Sequence, residues 1–92
     1  MKLKVKSGYQ VQEIAGENIL ITGGGDVDYS KMLVLNDSAA MLVRTLIEKE
    51  LSVDSLVEVL TNTYAVDVEQ AKQDVEDLLN GLNKQQVLEQ VI

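Results

Sequence analysis

Lys31-Met32-Leu33-Val34-Leu35-Asn36-Asp37-Ser38-Ala39-Ala40-Met41-Leu42 is the stretch on which the fold turns. Its first half is a short apolar run with no helical spacing of polar residues, and it reads as a β-strand. Asn36 then supplies a side-chain oxygen suited to capping a helix, and Asp37 places negative charge in the first helical turn, where the helix dipole favours it. Beyond it the apolar residues change period. Ala39, Leu42, Val43, Leu46 and Ile47 recur at spacings of three and four, which predicts an amphipathic helix to about Lys49. The chain thus passes from strand to helix without a linker.

Upstream, Tyr9 to Ala15 reads as a first strand and Gly16-Glu17-Asn18 as a hairpin turn. Asn18 to Thr22, with Ile19-Leu20-Ile21, reads as the second strand. Gly23-Gly24-Gly25 breaks the pattern, and a polar loop leads to the third strand at Lys31 to Leu35. Downstream, Ser52 caps a second helix whose stripe is Val53, Leu56, Val57, Leu60 and Tyr64. Asp67 caps a third, with Gln70 at the capping-box position and a stripe of Val68, Ala71, Val75, Leu78, Leu79 and Leu82. The tail Val87 to Ile92 reads either as a short strand or as a frayed end. The expected fold class is α+β: a three-stranded antiparallel sheet followed by three helices, one domain over residues 1–92, with strands within about 9–35 and helices within about 37–83.

Composition narrows the chemistry. The 92 residues are 46% hydrophobic, with Tyr9, Tyr29 and Tyr64 as the three aromatics, so the core is aliphatic. With no His and no Cys the chain lacks the side chains most used for nucleophilic and metal chemistry, and disulfides are excluded. The net charge is −7. From Glu48 onward ten carboxylates face only Lys49, Lys72 and Lys84, a balance that repels phosphates and favours a basic or mixed protein partner. The opening Met1-Lys2-Leu3-Lys4-Val5-Lys6 has no apolar run behind it and is not a secretory signal, and no stretch is long enough to cross a bilayer. A cytoplasmic location and no membrane partner are expected.

Local motifs add little chemistry. The triple glycine lacks the Gly-Lys-Ser/Thr of a phosphate loop, and Asp28 stands where a dinucleotide fingerprint from Gly23 needs glycine. Asp26, Asp28 and Ser30 resemble the start of a calcium loop, but Lys31 and Asp37 occupy the positions of its Gly and Glu. Asp74, Glu76 and Asp77 crowd the third helix and read as a solvated face. No catalytic residue, metal site or cofactor is expected.

A three-stranded sheet has two open edges. The third strand feeds the helices, so a helix can lie beside its open edge and form a groove with backbone donors and acceptors on one wall. An extended peptide can add a strand there. The competing reading packs the apolar third strand into the domain's own core.

Residues along most of the chain carry a family resemblance. The segment from Lys31 to Leu42 resembles the strand-to-helix signature of the PqqD family, the small proteins of pyrroloquinoline quinone synthesis. Leu56-Val57-Glu58-Val59-Leu60 and Tyr64-Ala65-Val66-Asp67 resemble its second helix and Tyr-x-Val-Asp turn. Ala71 with Asp74-Val75-Glu76-Asp77-Leu78-Leu79 and Leu82 resembles its third helix. The resemblance implies a winged-helix-like bundle under the sheet. It also implies a non-catalytic peptide-binding carrier, which captures the leader of a ribosomally made precursor by strand addition and presents it to a modifying enzyme of the radical S-adenosylmethionine type. It places the peptide between Lys31, Met32, Leu33 and Val34 on the strand and Ala71, Asp74, Val75 and Leu78 on the third helix. Two positions depart from the family: Val43 stands where a Trp is common, and the Gly near the final Leu pair is replaced around Gln86-Val87-Leu88.

Two other classes fit the same elements. A winged-helix DNA-binding regulator needs a basic recognition helix, whereas the third helix sets Glu69, Asp74, Glu76 and Asp77 against Lys72, so no nucleic-acid partner is expected. A scaffold domain would dimerise through its open strand edges, and a homodimer is also compatible with peptide carriage.

Overall fold

The computed structural model describes residues 2–22 and 32–91. The triple glycine, the loop with Asp26, Asp28 and Ser30, and Lys31 lie outside these residues. In order, the elements are β1 (Lys2–Val5), β2 (Tyr9–Ile14), β3 (Glu17–Thr22), β4 (Leu33–Leu35), α1 (Asp37–Glu48), α2 (Val53–Thr63), α3 (Val68–Lys84) and β5 (Leu88–Val91).

The expected three-stranded sheet is β2-β3-β4, antiparallel throughout. Its hairpin turn falls one residue earlier than the sequence suggests. Ala15 and Gly16 both have positive φ, 54° and 82°, and Ile14 pairs directly with Glu17. A two-residue loop with both residues left-handed matches the right-handed twist of its strands, and this moves Glu17 into β3. Val11, Leu20 and Leu33 stand opposite one another across the three strands and face the helices. Among the described residues β4 starts at Leu33, where its pairing to Leu20 begins, and Met32, expected within the strand, precedes it.

Each helix starts at its expected cap. Asn36 Oδ1 accepts from the Ala39 N–H at 2.8 Å, Ser52 Oγ from Ser55 at 3.1 Å, and Asp67 Oδ1 from Gln70 at 2.8 Å. Each such bond satisfies an orphan helix N–H and contributes about 1 kcal/mol. The buried stripes are narrower than the periodicity predicts. Leu42, Val43 and Leu46 of α1, Leu56 and Leu60 of α2, and Ala71, Val75 and Leu82 of α3 are sealed into one core with Leu20 and Leu35. Val53, Tyr64 and Val68, at the stripe ends, remain exposed.

A second sheet was not expected from sequence. β1 pairs antiparallel with β5, joining the two ends of the chain. Leu3 also exchanges backbone hydrogen bonds with Leu51 at 2.7 and 3.0 Å. The basic opening is therefore a strand of period two. Leu3 and Val5 are buried, Lys2 is exposed and Lys4 half-buried. Among the described residues no helix is long and apolar enough to cross a membrane.

α3 ends in a Schellman turn that throws the chain into β5. The Gln86 N–H donates to Asn83 O and the Val87 N–H to Leu82 O, both at 3.0 Å. Leu82 and Val87 are both fully buried, giving the apolar contact that accompanies this motif. The turn needs a left-handed residue, and Gln86 supplies it at φ 58°. Here, near the position where the resembled family carries Gly, a Cβ costs roughly 1 kcal/mol. Gln86→Gly is therefore expected to stabilise the domain by about 1 kcal/mol, less the extra chain entropy of glycine, read as a raised midpoint in urea unfolding.

Candidate functional site

β4 is an edge strand: it pairs with β3 on one side, and among the described residues it pairs with no other strand. The tail that could have covered its outer side is committed to β1. The strand presents two faces. Leu35 is buried and Leu33 half-buried toward the helices, while Val34, opposite Ile19 on the other face, is 65% exposed. An apolar residue so exposed on an unpaired edge is the arrangement that globular proteins ordinarily avoid.

Alongside β4 runs a hollow of about 330 Å³. Its floor is aliphatic, built from Leu33, Leu35, Leu42, Leu60 and Leu82. Its far wall is one face of α3: Asp74, Asp77, Leu78 and Gly81, at spacings of three and four along the helix. Gly81 has nothing within 4 Å of where a Cβ would stand, so the hollow is open at that point. A second hollow of about 360 Å³ continues past the N-terminus of α1 to Tyr64 and Val66, and Asp74 lines both. The two carboxylates are held by their own helix. Gln70 Nε2 donates to Asp74 Oδ1 at 2.8 Å, and Gln73 Nε2 donates to Asp77 Oδ1 at 2.9 Å. At the α1 end, Asn18 Nδ2 donates to Asp37 Oδ1 at 2.9 Å, tying β3 to the helix that follows β4.

Of the residues expected on the peptide track, Leu33, Val34, Asp74 and Leu78 meet in the first hollow. Met32 is half-buried just ahead of β4. Lys31 lies outside the described residues. Ala71 and Val75 have no exposed surface; they pack in the core behind the α3 wall. Asp77 and Gly81 are additional wall residues. They sit three and seven positions after Asp74, a helical spacing that was available in the sequence. The resemblance already places Asp74 on the peptide track, whereas Asp77, read only as part of a solvated face, also borders the groove.

Among the described residues, then, β4 offers an edge without a strand partner beside an apolar trough whose far wall is α3. The PqqD family, described as coenzyme PQQ synthesis protein D, matches residues 20–88, and the chain belongs to that family. Among curated proteins no sequence matches. Solved structures share the fold. TbiB1, in complex with the TbiA(beta) leader peptide, superposes with a TM-score of 0.69 at 20% identity, covering 97% of this chain and 98% of its own. A lasso peptide synthetase B1 complexed with its leader peptide gives 0.69 at 22% identity, covering 98% and 100%. The PqqD portion of Methylobacterium extorquens PqqCD, described as a stand-alone recognition element for ribosomally synthesised and modified peptides, gives 0.72 at 20% identity, covering 97% and 89%.

Proposed function

We propose that this protein is a non-catalytic leader-peptide recognition element. It captures the leader of a ribosomally made precursor by strand addition to β4 and hands it to a modifying enzyme. The observation that carries this reading is the outer side of β4, which has no strand partner among the described residues and lies beside the α3 wall. Added backbone completes the ladder, and alternate side chains of the peptide enter the trough. Leu33, Val34, Asp74 and Leu78, with Met32 and Lys31 leading in, are the contact residues of this reading. Family membership and the two leader-bound structures of the same fold support it. The modifying enzyme belongs to the radical S-adenosylmethionine type in this reading, and the encounter takes place in the cytoplasm, where the precursor is made.

The test separates groove from core. Val34 is exposed and Leu33 half-buried against the core. Val34→Asp is expected to stay folded and to weaken binding of its precursor's leader peptide by about tenfold, through a charge at the new strand junction. Leu33→Asp is expected to lose roughly 2 kcal/mol or more of stability as well. Calorimetric titration and urea unfolding read the two effects. Unchanged affinity in a folded Val34→Asp protein removes the strand-addition reading.

A further inference from the structure

Building on the strand-addition reading, we propose that the groove selects cationic peptides: the added strand carries a Lys or Arg whose head meets Asp74, beside an aliphatic side chain in the leucine floor. The open edge and its trough define the site, and the carboxylates decide which extended chain it accepts.

Asp74 is half-buried and shared by both hollows, so a peptide running from one to the other passes it. Asp77 stands one turn further along the same wall. Among the described residues the trough lining contains these two carboxylates and no Lys or Arg. Gln70 and Gln73 each hold one carboxylate through a single amide hydrogen bond, leaving acceptor capacity on both groups. Among the described residues neither carboxylate has a cation within ion-pair distance.

A strand beside β4 alternates its side chains as β4 does, so residues two apart point together toward α3. One reaches the leucine floor. A long basic side chain at the next inward position lays its methylene stem on the same apolar surface and lifts its charge to the rim. An acidic side chain there would meet two like charges, with no cation beside them among the described residues of the trough lining. The net charge of −7 adds a long-range pull in the same direction and raises the encounter rate at low salt.

A yeast-displayed library of random twelve-residue peptides, selected on the full chain and counter-selected on Gly81→Leu, tests this. The two baits have the same net charge, so peptides held only by general attraction are removed. Survivors are expected to carry Lys or Arg next to aliphatic residues. Asp74→Asn, which keeps the side-chain shape, should weaken them about three- to tenfold and flatten their salt dependence. Asp74→Lys should shift selection toward Asp and Glu. Groove-dependent binders without basic residues, or binders indifferent to Asp74→Asn, overturn the charge rule and leave strand addition standing. If no groove-dependent binder emerges, the strand-addition reading fails and this inference with it.

Discussion

Gly81→Leu is expected to leave the domain folded and to reduce affinity for its peptide by about thirty- to one hundredfold. The residue lies within α3, three residues before its end, where glycine is roughly 0.8–1 kcal/mol worse than alanine. Leucine is a good helix former, and nothing within 4 Å of the position obstructs its Cβ. The substitution should therefore hold or raise stability. In a helix, a long side chain leans back over the preceding turn, here toward Asp77 and Leu78. That direction lies along the wall of the first hollow, so the new side chain fills the trough a peptide would occupy. Displacing one or two buried anchors from such a site costs about 2–3 kcal/mol, which gives the stated loss. Far-UV circular dichroism and unfolding midpoints establish the folded state, and fluorescence anisotropy of a labelled peptide reads the affinity. A stable Gly81→Leu protein that binds as tightly as the parent places the peptide elsewhere. Gly81→Ala is the graded control: it adds one methyl group, and its main effect should be stabilisation.

The same glycine shows what was legible in sequence and what was not. Local signals transferred well. The caps at Asn36, Ser52 and Asp67 act within three residues, so a short window contains all the physics that sets them. Period alone located the helices, but it could not tell where a neighbouring element stops. Val53, Tyr64 and Val68 continue their stripes and are nevertheless exposed. On α3, periodicity separates two faces without saying what each will meet. One face, with Ala71, Val75 and Leu82, meets the core; the next, with Asp74, Leu78 and Gly81, meets the trough, and Leu82 reaches both. Choosing between them depends on where β4 lies, a tertiary fact. β1 went unread and β5 stood only as one of two readings of the tail for a related reason. Each is four residues long, and each finds its partner at the other end of the chain. The alternation of Leu3 and Val5 with lysines was visible, but alternation over so few residues does not name a partner.

Val87→Asp is expected to unfold the domain, because Val87 anchors the tail that pairs with β1. Val87 has no exposed surface and sits between the Schellman turn of α3 and the start of β5. Its N–H is bonded to Leu82 O, and its own carbonyl accepts from the Lys6 N–H at 2.8 Å. One residue thus ties the third helix, the last strand and the first strand together. A carboxylate there would be buried among Leu3, Val5, Leu82 and other apolar core residues with no cation in that core. Unpaired burial of a charge costs several kcal/mol, comparable with the whole stability of a domain this small. Val87→Ala, which removes two methyl groups without adding charge, should cost about 1–3 kcal/mol and leave a folded protein at low temperature. Thermal melts of the two variants read the difference; a cooperative Val87→Asp transition near that of the parent would show that the tail is not anchored as described. The anchoring matters beyond stability. A free apolar tail with Val87, Leu88 and Val91 would itself be a strand-forming segment able to pair with β4. Buried side chains and backbone bonds hold that segment against β1, and among the described residues the outer side of β4 has no strand partner. A milder tail variant such as Leu88→Ala should therefore weaken peptide binding through competition while the domain remains folded.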